Sequence, residues 1–191
     1  MQKETARDLR QDLIEAGIEE LNQFGANDFS LRRVASACGV STAAPYKHFK
    51  DRNELIRAII DYVNGLWAVE QDRLIASCGD TPREQMVTVA VGYVKFLMEN
   101  PHYRRALTLK TADFNNLYHR KTGEINSRTE EIMKRVKETY GLSDERWAYK
   151  TLMVRSMIFG SMFLFDCGEF TYNETALDNV RYLIDREFTV H

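Results

Sequence analysis

Apolar residues recur every three to four positions through most of the chain, and alternation of period two is hard to find. Leu9, Leu13, Ala16, Gly17, Leu21 and Phe24 share one side of a helix predicted over about Glu4–Phe24, which Gly25 stops. Ser30 is a good N-cap for a short helix carrying Leu31, Val34, Ala35 and Cys38, and Gly39 is well placed as the left-handed residue that ends it. Ser41 can cap another short helix through His48. A longer one is predicted from Asp51 to about Ser77, where Asp51 and Glu54 resemble a capping box and Leu55, Ile56, Ile59, Ile60, Val63, Leu66 and Trp67 form the apolar face. Thr81-Pro82-Arg83-Glu84 combines an N-cap, a proline at the first helical position and a capping-box glutamate, opening a helix that ends near Asn100-Pro101. The remainder reads as Pro101–Lys110, a loose segment around Asp113–Gly123, Glu124–Tyr140 closed by Gly141, then Asp144–Cys167 and Glu174–Phe188. The expectation is an all-α chain of about nine helices.

Composition narrows the class further. Of 191 residues, 44% are apolar, enough to bury a core without help from metals or disulfides. The 26 basic and 28 acidic residues leave a net charge of −2, which excludes whole-chain polycation behaviour but not a local basic patch. Cys38, Cys78 and Cys167 are few, odd in number and scattered, as suits a reducing compartment. MQKETARDLRQD at the N-terminus has no apolar signal-peptide core. The most hydrophobic run, Ser156–Phe165, lies between Arg155 and Asp166 and falls far short of the ~20 residues a membrane span needs. The expectation is a cytoplasmic protein with no membrane partner.

Residues 30–49, SLRRVASACGVSTAAPYKHF, carry the most information, because helix, glycine turn and second short helix are the elements of a helix-turn-helix. Ala35 is small where two helices must approach, Gly39 supplies the positive φ of the turn, and Val34, Cys38, Val40 and Phe49 can pack inward. From Phe29 to Arg52 there are five bases, Arg32, Arg33, Lys47, Lys50 and Arg52, against one acid, Asp51. From Lys3 to Glu20 there are three bases and six acids. A near-neutral chain has thus sorted its charge, and neutralisation of nucleic-acid phosphates would explain the basic half.

Residues 13–56 resemble the DNA-binding domain of the TetR/AcrR family of transcriptional regulators. The matching parts are Ala16-Gly17, Gly39-Val40-Ser41, Tyr46-Lys47-His48-Phe49 and Arg52-Asn53-Glu54-Leu55. Two positions depart from the family's pattern, Ala43 where glycine is usual and Pro45 where leucine is common; neither is expected to break a first helical turn, though Pro45 would narrow which bases are read. The resemblance implies a DNA-binding domain over 1–52, and an effector-binding and dimerisation domain over 53–191. It implies a homodimer, commonly a repressor, whose recognition helices, Thr42–His48, enter successive major grooves of a palindromic double-stranded operator, ~34–36 Å apart. Thr42, Ala43 and Ala44 are short enough to let that helix lie deep, and Lys47 is the best candidate for a guanine or a phosphate. Tyr46, His48, Lys50, Arg52, Ser41 and the amide end of the helix at Ser30 would hold phosphates; Arg32 and Arg33 would do the same or reach a groove edge.

The family resemblance also places a pocket for a small-molecule effector in the second region. Trp67, Tyr93, Phe96, Tyr103, Phe114, Tyr118, Met133 and Met157 supply candidate walls, and Asn116, His119 and Arg155 the polar groups. The same residues read equally as ordinary helical core. Asp144–Cys167 is the best dimerisation helix, since Ser156–Phe165 is apolar nearly all round. Met153, Ser156, Gly160 and Leu164 on it, with Leu177, Val180, Leu183 and Ile184 of Glu174–Phe188, would complete a four-helix interface. The alternative is burial within one subunit. Effector binding would shift the helix from Asp51 to Ser77, and coupling of ~1–3 kcal/mol would change operator affinity by about five- to 150-fold.

Other classes leave less trace. Glu99 and His102 form a single Glu-x-x-His interrupted by Asn100-Pro101, whereas a di-iron bundle needs two. His-Glu-x-x-His, Gly-x-Ser-x-Gly, a phosphate-binding Gly-Lys loop and paired cysteines for zinc are all missing, so neither enzyme, metal nor cofactor is expected. A helical module using its basic face against an acidic protein remains the other binding reading, with a helical enzyme behind it.

Overall fold

The computed structural model describes residues 8–108 and 127–189. These form eight α-helices and one 3₁₀ turn, with no strand among the described residues. The helices are α1 (Leu9–Phe24), α2 (Leu31–Ala37), α3 (Arg52–Ser77), α4 (Pro82–Glu99), α5 (Pro101–Thr108), α6 (Ser127–Thr139), α7 (Asp144–Asp166) and α8 (Glu174–Glu187), and the 3₁₀ turn is Pro45–Lys47. The chain is all-α, as its periodicity predicts.

Local chemistry sets the helix starts. Asp8 caps α1 at Leu9, its Oδ1 accepting from the Arg10 amide at 3.0 Å, and residues 4–7 of the expected helix lie outside the described residues. The Glu54 amide donates to Asp51 at 2.9 Å and the Lys50 amide to Glu54 at 2.5 Å, a capping box that opens α3. At α4 the Glu84 amide donates to the Thr81 hydroxyl at 3.2 Å, which in turn donates to the Glu84 carboxylate at 2.7 Å.

The described residues fall into two compact units. The first takes in the chain to Leu66 together with α5; the second takes in Trp67–Glu99, α6, α7 and α8. The division between these packing units falls inside α3, after Leu66. Leu55, Ile56, Ile59 and Val63, all fully buried, join Leu13, Ile14, Ile18, Leu21, Phe29, Val34, Phe49 and Ala106 in the first unit's core. Truncating any fully buried leucine there to alanine should cost ~2–5 kcal/mol. In the second unit α4 is central, packing on α6, α7 and α8, and it buries Met86, Val87, Val89, Ala90, Val91, Val94 and Leu97.

Candidate nucleic-acid interface

The interface is built on a close crossing of α1 and α3. A Cβ at Gly17 would lie 2.7 Å from Ile59 Cδ1 and 3.5 Å from the Phe29 ring, which explains the small pair Ala16-Gly17. Over this base lies α2, with Val34 and Ala35 fully buried. Its C-terminus closes as a Schellman turn: the Val40 amide donates to Ala35 O and the Gly39 amide to Ser36 O, both at 3.0 Å. Gly39 has φ 71°, the conformation predicted for it. No atom crowds its α-carbon, so backbone conformation alone calls for glycine there.

The segment after the turn departs from expectation. In place of an α-helix from Ser41 to His48, residues 42–44 form a turn and bend, and only Pro45–Lys47 are helical, with 3₁₀ winding. Pro45 is the cause. An α-helix capped by Ser41 would require the residue at 45 to donate to the Ser41 carbonyl, and proline has no N–H. The Ala44 amide takes that carbonyl instead, at 2.9 Å. Pro45 is buried and Phe49 is 2% exposed, and these two pin the segment to the core. Ser41, Thr42, Ala43, Tyr46, Lys47, His48 and Lys50 are left facing outward, with Ala44 half-buried. Tyr46 is 60% exposed, unusual for an aromatic side chain with nothing covering it.

The cations divide into two groups. Arg32, Lys47 and Lys50 are exposed. Arg33 is engaged within the unit: its Nε donates to both carboxylate oxygens of Glu20 at 2.9 and 3.0 Å, and its Nη2 donates to Glu20 and to Asp28 O. Its guanidinium also lies 3.9 Å from the Phe24 ring centroid. The hydrogen bonds it donates to Glu20 hold its pKa above the ordinary value, against the opposing cost of desolvation. Arg33 thus ties the end of α1 to the start of α2 instead of reaching outward. Ser30 is similarly committed, its amide donating to Glu20 at 2.9 Å and its hydroxyl accepting from the Arg33 amide at 3.4 Å. Arg52 Nη1 donates to Asn27 O at 2.9 Å.

Two residues of this unit are absent from the sequence-based expectations. Glu20 is 6% exposed, and the signal available for it is a carboxylate set among the apolar positions of α1, next to Leu21. The Arg10 guanidinium stands 5.3 Å from the Phe49 ring centroid, at the edge of the outward segment.

The residues expected to line an effector pocket do not come together as one set. Phe114, Asn116, Tyr118 and His119 lie outside the described residues. Tyr103 packs against the core of the first unit. In the second, Trp67 stands edge-on to Tyr93 at 4.9 Å and tilted against Phe96 at 5.4 Å. Met133 and Met157 are half-buried and Arg155 is exposed, near the ring of Phe159. Desolvation pushes the Tyr93 hydroxyl up to about 12, partly offset by Arg155. A cleft of about 440 Å³ in this unit is lined by other residues, among them Cys78, Glu84, Asp178, Arg181 and Tyr182.

The expected dimer residues also divide. Leu177, Val180 and Ile184 follow helical spacing along the face of α8 that packs within the chain, and all three are buried. They therefore belong to this unit's own core. Met153 and Leu164 are half-buried, while Ser156, Gly160 and Leu183 are exposed. On α7, Val154, Ile158 and Met162 are buried, and Tyr149, Leu152, Phe159 and Phe163 form an apolar row facing outward.

None of the three cysteines is in a disulfide, and the buried Cys38 thiol donates to Asp12 O at 3.5 Å. Among the described residues no cluster of three His, Cys, Asp or Glu side chains could hold a metal, and no helix is long and apolar enough to cross a membrane.

Residues 13–59 match the model of bacterial regulatory proteins of the tetR family. The chain is 32% identical over 84 residues to the HTH-type transcriptional regulator BetI of Pectobacterium carotovorum subsp. carotovorum, a stretch covering 44% of this chain and 43% of that protein. The match thus spans less than half of the regulator's own length. The fold is similar to that of a TetR family transcription regulator from Marinobacter aquaeolei VT8, with TM-score 0.77 and 17% identity over 93% of this chain and 94% of that one. It is also similar to a single-substitution variant of TetR from Acinetobacter baumannii AYE in complex with minocycline, with TM-score 0.55 and 15% identity over 92% of each chain. These are names of transcriptional regulators, not of enzymes. On the helix-turn-helix geometry and these similarities together, residues 13–59 are similar to the DNA-binding region of tetR-family regulators, and the described fold is similar to that of solved members of the family.

Proposed function

We propose that the chain is a ligand-responsive transcriptional repressor, a homodimer that binds a two-fold symmetric operator and is released from it by a small-molecule effector. The observation that carries this reading is the outward segment 41–50: Pro45 and Phe49 pin it from beneath, and Ser41, Thr42, Ala43, Tyr46, Lys47, His48 and Lys50 are left to solvent. Short side chains beside a cation suit a major groove, where Thr42 and Ala43 meet thymine methyls or base edges and Lys47 meets a guanine. Ser41, Tyr46, His48, Lys50 and Arg32 take phosphates. Arg33, Arg52 and Ser30 support this surface from within.

The outward row on α7 supports the homodimer. A contiguous apolar face of this kind is costly in water, and self-association covers it. Two copies hold two heads, and heads spaced for successive grooves read a palindrome. A cytoplasmic location follows from a DNA partner. The minocycline bound to one structural neighbour supports a small-molecule effector, here held in the second unit, with α3 shared between both units as the element to carry the signal.

Selection from random duplexes tests the proposal. A two-fold symmetric consensus is expected, with affinity falling ~1000-fold or more between about 50 and 200 mM salt. Enrichment of no sequence, alongside salt-sensitive binding to an acidic protein, would favour the protein-binding module instead.

A further inference from the structure

Pro45 is the departure from the family pattern that changes the backbone. The hydrogen bonds around it are Ala44 N to Ser41 O at 2.9 Å, Lys47 N to Ala44 O at 3.1 Å and His48 N to Pro45 O at 3.0 Å, each closing a three-residue span. Only the last, Phe49 N to Pro45 O at 2.9 Å, has the four-residue span of an α-helix. A residue with an amide hydrogen at 45 could donate to the Ser41 carbonyl and allow α winding from the first turn.

The two windings present different surfaces. An α-helix turns about 100° and rises about 1.5 Å per residue, whereas a 3₁₀ helix turns about 120° and rises about 2.0 Å. Along Pro45–Lys47 the difference grows by about 20° and about 0.5 Å per residue, reaching about 40° and about 1 Å at Lys47. Thr42 and Ala43 lie inside the Ser41–Ala44 span, and Tyr46 and Lys47 lie in the 3₁₀ winding that follows it. The four-carbon stem of Lys47 can absorb part of such a displacement, but the Tyr46 ring, with two rotatable bonds, cannot.

We infer that Pro45 is a specificity-determining positioning residue, which fixes the offset between the pair Thr42-Ala43 and the pair Tyr46-Lys47 and so the bases each half-site must carry. It touches no base, being buried. It acts through the winding of the segment it anchors, and this rests on the DNA-binding reading above.

The test is selection from random duplexes with wild type, Pro45→Ala and Pro45→Leu, each first checked for a cooperative thermal melt. The expected result is a changed half-site consensus in at least one variant, with that variant preferring its own site over the wild-type operator by about fivefold or more. If every folded variant selects the wild-type consensus, with affinity merely altered, the inference is overturned. If wild type itself enriches no duplex, the DNA-binding reading has failed and this one falls with it. If neither variant folds, the structure of wild type on its selected duplex decides: Lys47 on a base with residues 45–47 still in 3₁₀ winding supports the inference, and Lys47 on a phosphate or in solvent overturns it.

Discussion

The two units of this chain differ in what they leave uncovered. In the first, the buried set runs from Leu13 to Ala106, and the large apolar side chains left exposed are Phe24, which lies under the Arg33 guanidinium, and Tyr46. Its outward segment is otherwise short, polar or cationic. In the second, Tyr149, Leu152, Phe159, Phe163, Phe170, Tyr182 and Leu183 are all exposed. Apolar and charged surfaces call for different partners, because the first gains by excluding water and the second by releasing counterions from a polyanion. The proposed function assigns these two surfaces to different partners, a second copy for the apolar one and nucleic acid for the charged one.

The largest effect should come from removing the apolar surface. Leu152→Glu combined with Phe163→Glu places two charges in the α7 row, and sedimentation should then report a monomer. Operator affinity should fall ~100-fold or more, since two linked heads bind with an effective concentration that single heads lack. A double variant that stays dimeric would show that the seam lies elsewhere. Next in size is a contrast within the first unit. Lys50→Ala should lower the salt slope of operator binding by about one per contacted phosphate without moving the melting temperature. Arg33→Ala should do the reverse, lowering the melting temperature because Glu20 is then left buried without its cation. Equal salt slopes for wild type and Lys50→Ala would remove Lys50 from the phosphate contacts.

This contrast marks how far the sequence can be read. Ser30, Gly39, Asp51 and Thr81-Pro82 act locally, through caps and turns closed within a few residues, and their roles follow from residue type and spacing alone. The close approach at Gly17 is visible as a small pair, although its partners, Ile59 and Phe29, are not. The Glu20–Arg33 pair spans the loop between two helices and depends on tertiary placement. It therefore turns an expected phosphate contact into an internal tie. Pro45 shows the weight of a local rule: a missing amide at the fourth position of a short helix decides its winding. The second unit is hardest to read. Ser156–Phe165 is apolar on all sides, so its sequence carries no phase to separate Ile158 and Met162, which face inward, from Phe159 and Phe163, which do not.

A smaller effect tests the frame of the first unit. Gly39→Ala forces a side chain into the left-handed region and should cost ~1–2 kcal/mol by chemical denaturation. Because the space around Gly39 is open, that penalty is conformational, and Gly39→Asn should recover part of it. If the two variants melt alike, φ at this position is not what holds the turn.

The smallest effect concerns Tyr93. Desolvation raises its hydroxyl from 10.0 to about 12, with Arg155 pulling the other way. A folded-state pKa above the unfolded one means that the folded protein holds its proton longer. Stability from Tyr93 is therefore complete below pH 10 and drains away as the pH climbs towards 12. By pH 11 the loss should be about 1 kcal/mol, and Tyr93→Phe should abolish that share of the alkaline decline. Urea unfolding of wild type and Tyr93→Phe at pH 9, 10 and 11 checks this. Parallel curves for wild type and Tyr93→Phe would mean that water reaches the hydroxyl, and that the Trp67–Tyr93–Phe96 cluster opens onto a cavity instead of closing on itself.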